Sequence, residues 1–198
     1  MSKAVIKFHS KRNCVYRDED KVYKRFENAS EAQTEAAFLR MLLKKGVPVP
    51  VILHNDDQVL VMEYIRGVTI PDLLCGSENP DWHQVAAAVI RWLQSFYDAI
   101  CHETTGEIRG DVNGRNFIFY AGNVWGVDFE EHTYGTRETD AGRLLAYAAT
   151  YDVSDESKKI ALSNALERQF VDVMKLDRQM ITSECKKELL AISQRRKR

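Results

Sequence analysis

The sequence changes character near Arg66–Gly67, and this change constrains the fold more than any other feature. Before it lie short β-leaning runs that polar turns separate. After it, apolar residues recur at helical spacing, beginning with Trp82, Val85 and Val89. We therefore expect an α+β chain with two lobes: a small β-rich lobe over residues 1–66 that contains one helix, and a reduced, mainly helical lobe over residues 67–198.

Turn and cap signals set the expected limits of these elements. The strands expected in the first lobe are Ala4–Phe8, Cys14–Arg17, Lys21–Phe26, Val49–Leu53 and Gln58–Tyr64. Its helix begins at Ser30, where Ser30-x-x-Gln33 fits a capping box, and ends at Lys44-Lys45-Gly46. In the second lobe, Asn79-Pro80 supplies an N-cap with proline at the first helical position.

Composition excludes several classes of protein. Hydrophobic residues make up 44% of the 198 residues and charged residues 29%, which is typical of soluble globular proteins. The net charge of −1 gives no global field for polyanions, and no apolar run approaches the length of a membrane span. The four cysteines lack metal-ligand spacing, which favours reduced thiols. We expect a cytoplasmic protein with no membrane contact.

The polar residues around one predicted hairpin indicate a metal-binding site. Phe117–Tyr120 and Val124–Val127 predict two strands joined by a three-residue loop. If Tyr120 pairs with Val124, Asn116 and Asp128 are opposed at the open end, with Cβ atoms about 4.5–5.5 Å apart. An amide oxygen and a carboxylate at one point suit a hard cation such as Mg²⁺.

Asp111 precedes Asn116 by five residues, on a loop that contains glycine. The spacing Asp111-x-x-x-x-Asn116, followed by a hairpin and Asp128-Phe129, resembles the catalytic loop and metal-binding motif of protein kinases. The chain is therefore identified as a member of the protein-kinase-like superfamily. The resemblance implies a two-lobed kinase fold, ATP with Mg²⁺ (or Mn²⁺), Asp111 as catalytic base, and Asn116 and Asp128 as metal ligands. A surface hairpin with incidental polar residues is the alternative.

An upstream pair is consistent with this resemblance. Glu35 shares a helix face with Phe38 and Leu39, and a carboxylate on an apolar face requires a cationic partner. Lys24, in the preceding strand, is the nearest upstream candidate. The resemblance implies that Lys24 contacts the nucleotide phosphates and that Glu35 holds it in place, whereas a solvated lysine and glutamate are the simpler alternative.

Further nucleotide contacts are implied on both sides of this pair. The stretch ending in Glu63-Tyr64-Ile65 is similar to the segment whose backbone binds adenine in aminoglycoside and choline phosphotransferases and in RIO-type kinases. No glycine occurs in residues 1–45, so the usual glycine-rich phosphate loop is absent. Ser10 and Lys11 stand in its place as candidate phosphate contacts, although a plain polar turn fits equally well.

The departures from typical protein kinases narrow the resemblance. Asp140 follows Asp128 at a distance of only 12 positions, which leaves no room for a long activation segment. With its short length, no long activation segment and no glycine-rich loop, the chain resembles the RIO family and the small kinase of the KEOPS complex. Asp140 is similar to the family aspartate that braces the catalytic loop, or else is an ordinary first-turn acid. We expect an atypical Ser/Thr protein kinase.

Two other functions stay open at this stage. Pro48-Val49-Pro50 and Asp128-Phe129-Glu130 favour a small-molecule kinase of the aminoglycoside or choline type. The missing glycines, and Arg109 in place of the catalytic-loop histidine, favour a nucleotide-binding pseudokinase scaffold. The basic run Arg195, Arg196, Lys197 and Arg198 is interpreted as a solvated tail or as a contact for RNA or a protein. The sequence does not identify the phosphate acceptor.

Overall fold

A computed structural model describes residues 6–8, 13–130 and 133–197. These residues form two compact units. The first contains the described residues up to Arg66 together with Trp125–Glu130, and the second contains Gly67–Val124 and the described residues from Thr133 onward. Residues 125–130, which were expected in the helical lobe, are grouped with the first unit.

The first unit is built on an antiparallel sheet whose strand order is β1-β2-β3-β5-β4. The strands are β1 (Ile6–Phe8), β2 (Cys14–Asp18), β3 (Lys21–Arg25), β4 (Ile52–Asn55) and β5 (Val59–Glu63). Lys24 in β3 lies opposite Val15 and Leu60, so the three side chains share one face of the sheet.

One helix, α1 (Ala29–Lys44), accompanies the sheet. The predicted capping box at Ser30 is wrong: Asn28 is the N-cap, and no side chain caps the helix. Instead, the Asn28 side-chain amide donates to Glu31 Oε1 at 3.3 Å. The predicted end is confirmed, since α1 stops at Lys44 and Gly46 adopts a φ of +79°, a left-handed conformation that glycine accepts without strain.

Helices dominate the second unit. They are α2 (Ile70–Cys75), α3 (Trp82–Ala99), α4 (His102–Thr105), α5 (Arg137–Thr150), α6 (Glu156–Asp172) and α7 (Arg178–Arg196). The predicted start of α3 at Asn79-Pro80 is two residues early. Asp81 is the N-cap, and its carboxylate accepts hydrogen bonds from the amides of His83 and Gln84, which satisfies two otherwise unpaired donors.

The remaining strands are short: β6 (Val68–Thr69), β7 (Glu107–Ile108), β8 (Phe117–Tyr120), β9 (Asn123–Gly126) and β10 (Thr133–Tyr134). They lie in the second unit, except that Trp125 and Gly126 of β9 belong to the first. The hairpin loop between β8 and β9 has two residues, Ala121 and Gly122, with φ of +49° and +77°. The predicted three-residue loop is therefore wrong. A two-residue loop makes Asn123 the partner of Tyr120, so the register that set Asn116 opposite Asp128 loses its basis.

The predicted fold class is confirmed: the chain is α+β, with a sheet and one helix in its first unit and mainly helices in its second. Among the described residues, none of the helices combines the length and the apolar composition that a bilayer crossing requires.

Candidate active site

Lys24 and Glu35 form a buried ion pair in the first unit. Lys24 is 4% exposed in the middle of β3, and Glu35 is 2% exposed on the buried face of α1. The Lys24 ammonium donates to both carboxylate oxygens of Glu35, at 3.0 and 2.8 Å. The contact expected from the apolar setting of Glu35 is present, because neither charge is buried without the other.

The electrostatics of this pair depend on two more carboxylates. Lys24 Nζ also lies 2.7 Å from Asp128 Oδ1 and 2.7 Å from Glu130 Oε1. Burial alone would lower the pKa of Lys24, but Glu35, Asp128 and Glu130 outweigh it and raise that pKa above its ordinary value. Burial raises the pKa of Glu35, against the opposing effect of the Lys24 ammonium. Lys24 is thus held firmly in its charged form.

Phe129 anchors the segment that carries the two additional carboxylates. Its side chain is 2% exposed and its ring lies 5.8 Å from the ring of Phe38 in α1. Its backbone amide donates to Glu35 Oε1 at 3.4 Å. Asp128 has a φ of +65°, a left-handed conformation that costs a non-glycine residue roughly 1–2 kcal/mol. Such a strained residue marks a candidate functional position.

The donor set of this cluster fits a divalent cation. Carboxylate oxygens of Glu35, Asp128 and Glu130 all lie within 4.8 Å of one another. Three carboxylates around one ammonium leave a formal charge of −2, and the Asp128 side chain is 45% exposed. Hard oxygen donors with solvent access are the ligands that Mg²⁺ prefers when it also binds phosphate. Glu130 was not predicted as a partner of Lys24, although its position two residues after Asp128 was a usable signal.

The candidate catalytic loop lies in the second unit. Asp111 Oδ1 accepts a hydrogen bond from the Asn113 amide at 3.2 Å. Asn116 ends a short 3₁₀-helix, Gly114–Asn116, and its side-chain amide donates to the Asp111 carbonyl at 3.3 Å. The structure therefore joins Asp111 to Asn116, which is only 8% exposed.

A second interaction fixes the middle of this loop. Tyr151 Oη donates to Asn113 Oδ1 at 3.0 Å and accepts from the Gly114 amide at 2.6 Å. Burial raises the pKa of Tyr151, despite the opposing hydrogen bond from Gly114. The hydroxyl consequently stays protonated and holds both loop residues.

Asp140 holds the start of the same loop. Its side chain is fully buried and accepts three hydrogen bonds: from Tyr97 Oη at 2.8 Å, from the Arg109 amide at 2.8 Å and from the Gly110 amide at 2.9 Å. Burial raises the pKa of Asp140 despite these three donors. Of the two interpretations left open, the bracing contact with the loop is the one present.

The candidate adenine-contact segment follows β5. The amide of Glu63 donates to the Val51 carbonyl at 2.9 Å, and the amide of Tyr64 donates to the Asp20 carbonyl at 2.8 Å. Among the described residues, no acceptor is bound to the amide of Ile65. Ile65 therefore offers the one amide of these three that the described residues leave for a nucleobase edge.

The expected phosphate contacts near the start of the chain and the basic run near its end are the remaining candidate residues. Ser10 and Lys11 lie outside the described residues, while Asn13, nearby in sequence, donates from its side-chain amide to Glu130 Oε1. In the basic run, Arg195 and Arg196 are exposed, but they form the last turn of α7 instead of a tail beyond it. Arg195 Nη2 binds Glu188 Oε1 at 2.5 Å, and Arg196 Nη2 donates to the Thr150 carbonyl at 2.6 Å.

Comparison with known families gives a match that covers most of the chain. Residues 2–146 match the family described as RIO1, RIO domain. The matched region includes both the ion cluster around Lys24 and the loop that carries Asp111.

Curated relatives match over shorter segments. The chain is 31% identical over 97 residues to the KEOPS complex subunit Bud32 of Pyrococcus abyssi, covering 48% of this chain and 41% of that protein. It is 26% identical over 95 residues to a probable serine/threonine-protein kinase BUD32 homolog of Archaeoglobus fulgidus, covering 48% of this chain and 42% of the relative. The matches thus span less than half of these relatives.

Solved structures share the fold. A ternary complex of streptomycin, ATP and APH(2″)-IIa superposes with a TM-score of 0.58 and 13% identity, covering 86% of this chain and 79% of that one. A choline/ethanolamine kinase family protein of Mesorhizobium loti gives a TM-score of 0.56 and 16% identity, covering 94% and 87%. These similarities confirm the protein-kinase-like fold predicted from the sequence.

Proposed function

This chain belongs to the RIO domain family, and on that premise we propose that it is an ATP- and Mg²⁺-dependent kinase that phosphorylates a serine or threonine hydroxyl. The observation that carries the proposal is the ion cluster in which Lys24 contacts Glu35, Asp128 and Glu130 within 3.0 Å. A buried lysine held by a helix glutamate and adjoining an exposed aspartate is the arrangement that kinases use for phosphates and metal.

Each functional residue has one proposed task. Lys24, oriented by Glu35, binds the nucleotide phosphates, and Asp128 and Asn116 hold the divalent ion. The ion, when bound, supplies positive charge that offsets charge developing on the transferred phosphoryl group. Ser10 and Lys11 remain proposed phosphate contacts.

Asp111 is the proposed catalytic base. Its carboxylate orients the acceptor hydroxyl and receives the proton that this hydroxyl loses as its oxygen forms the bond to the γ-phosphorus. The bond from that phosphorus to the bridging oxygen breaks, and ADP leaves. The hydrogen bond from Asn116 to the Asp111 carbonyl and the Asp140 brace fix the loop, which reduces the freedom of the base.

The nucleobase is proposed to bind along Glu63, Tyr64 and Ile65. In this segment the Ile65 amide supplies a donor for an acceptor on the base edge, while the amides of Glu63 and Tyr64 hold the segment to Val51 and Asp20. Residues 1–66 thereby form the proposed nucleotide-binding lobe, with residues 125–130 contributing Asp128.

A small-molecule hydroxyl is the second candidate acceptor. The structures that superpose on most of this chain include a streptomycin–ATP complex and a choline/ethanolamine kinase family protein. The segment Asp128-Phe129-Glu130 favours the same class of acceptor. A nucleotide-binding pseudokinase is the third candidate.

Partners and location belong to the same proposal. The Pyrococcus relative is named as a subunit of a complex, and we place this chain in a protein assembly as well, with RNA or protein contact through Arg195, Arg196, Lys197 and Arg198. Arg195 and Arg196 would then leave their present partners or use their remaining donors. The four cysteines are free, which supports a reducing, cytoplasmic location.

Labelled ATP tests these candidates directly. The protein is incubated with MgATP labelled at the γ-phosphate and, in parallel, with a protein mixture, with aminoglycosides and with amino alcohols. We expect label on serine or threonine, and a rate reduced about 10²–10³-fold or more by Asp111→Asn and by Asp128→Ala. Asp172→Asn, at an exposed position, is the matched control and should keep the parental rate.

The remaining outcomes separate the alternatives. Label found only on an aminoglycoside or amino alcohol overturns the protein-kinase assignment in favour of the second candidate. Nucleotide binding without transfer to any acceptor, unchanged by Asp111→Asn, supports the pseudokinase. Equal Mg²⁺-dependent nucleotide affinity in Asp128→Ala and parent removes Asp128 from the metal site.

A further inference from the structure

Arg17 lies on the face of the first unit's sheet that bears Lys24. It is paired with Val22 across β2 and β3, and Lys24 lies two residues further along β3, so the three side chains share a face. Two strand residues span about 6.6 Å. Val15 lies opposite Lys24 and Val22 lies opposite Arg17, so an apolar side chain adjoins each cation on this face.

Arg17 also contacts the segment proposed to bind the base. Its guanidinium carbon lies 3.7 Å from the centroid of the Tyr64 ring, a close cation–π contact. Its Nε donates to the Glu19 carbonyl at 2.7 Å, and the turn containing Glu19 is tied to Tyr64 by the hydrogen bond from the Tyr64 amide to the Asp20 carbonyl. Two contacts thus orient the guanidinium plane: the Tyr64 ring against one of its faces and the Glu19 carbonyl at its Nε atom.

A guanidinium group is planar and has two faces, and both can stack on π-systems. The Tyr64 ring occupies one face, and Arg17 remains partly exposed. From Lys24 through Val22, β3 runs toward its pairing with Glu63. Arg17 and Val22 therefore lie on the Lys24 face, on the side of the segment proposed to bind the base.

We propose that Arg17 is a nucleobase-binding residue: its free face stacks on the purine, in a sandwich of Tyr64, Arg17 and base. This inference rests on the proposed function, because it assumes phosphates at Lys24. Stacking depends on the π-surface rather than on the exocyclic groups of the base. Arg17 therefore contributes equally to ATP and GTP, and contributes nothing to a triphosphate that lacks a base.

Direct binding measurements test the sandwich. Calorimetry with the full chain compares MgATP, MgGTP and magnesium tripolyphosphate for the parent, Arg17→Ala, Arg17→Lys and Tyr64→Leu. We expect Arg17→Ala to weaken ATP and GTP binding about tenfold and to leave tripolyphosphate binding unchanged. Arg17→Lys keeps the charge but loses the plane, so most of the loss should remain, and Tyr64→Leu should give a smaller loss.

Arg25→Ala is the matched control, because Arg25 follows Lys24 directly on β3, is exposed and faces the opposite side of the sheet. It should bind all three ligands as the parent does. Melting temperatures of every variant verify that the sheet is intact.

Each contrary result has a distinct meaning. Equal ATP affinity in Arg17→Ala and parent shows a purely structural role and overturns the sandwich while leaving the proposed function standing. Parallel losses for ATP and tripolyphosphate show that Arg17 acts on phosphate, which also overturns it. A parent that binds no nucleotide refutes the proposed function together with the sandwich.

Discussion

At the scale of single residues, Lys24 offsets the negative charge of the carboxylates around it. It is the cation that faces the buried carboxylate of Glu35, and it also contacts the carboxylates of Asp128 and Glu130. Removing one partner of a buried ion pair is strongly destabilising, because the other charge is then left in a poorly solvated site. The stability of the first unit therefore depends on Lys24 independently of any role in phosphate binding.

We expect Lys24→Met to lower the free energy of unfolding by about 3–5 kcal/mol at neutral pH, as measured by urea denaturation. Burial already raises the pKa of Glu35 above its ordinary 4.5, and loss of the ammonium raises that pKa further. A raised native pKa means that stability is fully present below pH 4.5 and falls as pH rises through the native pKa. The deficit of Lys24→Met should consequently shrink in acid.

The double variant Lys24→Met/Glu35→Leu is the control for this interpretation. It replaces the pair with apolar groups, so it should be more stable than Lys24→Met alone at neutral pH. If the double variant is less stable than the single one, desolvation of Glu35 is not the cause of the loss.

At the scale of elements, the packing of α5 against α7 depends on Gly142. A Cβ atom built at this position would lie 2.6 Å from the Cys185 backbone nitrogen and 2.6 Å from Glu184 Cβ. The backbone nitrogen cannot rotate away, so any side chain at residue 142 would force the helices apart. The same α5 carries Asp140, which braces the catalytic loop.

Gly142→Ala should therefore destabilise the protein, although alanine is favoured over glycine inside a helix by about 1 kcal/mol. Overpacking costs typically 1–3 kcal/mol, and this cost should prevail. Thermal unfolding of Gly142→Ala and of the parent gives the change in melting temperature. The control variant Ala149→Gly, at an exposed position of α5, measures the difference in helix propensity between alanine and glycine without the packing effect. A melting temperature above the parental one in Gly142→Ala would contradict the close approach.

Helix starts and hairpin lengths account for the main errors of sequence-based prediction in the elements. Apolar spacing predicted α3, but its N-cap is Asp81 and not Asn79. Capping residues this close in sequence differ in stabilising energy by only about 1 kcal/mol, so the sequence alone does not decide between them. The predicted length of the β8–β9 loop is wrong by one residue. Ala121 adopts a positive φ that its side chain disfavours, and the Ala121-Gly122 pair closes the hairpin without a third residue.

At the scale of the whole molecule, the first unit is discontinuous in sequence. Its residues up to Arg66 are joined by Trp125–Glu130. The returning segment contributes the buried Phe129 side chain and a hydrogen bond from the Gly126 amide to the Pro48 carbonyl at 3.0 Å. A fragment that ends at residue 66 lacks these contacts, and it also lacks the two carboxylates that bind Lys24.

A fragment of residues 1–66 should accordingly fail to fold cooperatively. We expect poorly dispersed amide signals by NMR and no sigmoidal urea transition. The same fragment with residues 124–131 attached through a flexible Gly/Ser linker should recover both, because it restores the buried Phe129 side chain and the hydrogen bond from Gly126 to Pro48. A cooperative transition in the shorter fragment would show that the returning segment is not part of the folding unit.

The sequence predicted the pairing of Lys24 with Glu35, but it did not predict the other contacts of Lys24. Lys24 and Glu35 were paired because a carboxylate on an apolar face needs a cation, and this reasoning uses only local pattern. The contact of Glu130 with Lys24 was not predicted, since the packing of residues 125–130 in the first unit is a long-range contact that local sequence periodicity does not indicate. The cation–π contact of Arg17 with Tyr64 was missed for the same reason.

The left-handed backbone at Asp128 carries an evolutionary consequence. Glycine at this position would relieve the steric penalty and remove one of three mutually repelling carboxylates. A laboratory lineage selected for heat resistance alone should thus lose this aspartate early and gain robustness as it does so. Lineages in which the aspartate persists must be retaining it for work that folding does not require.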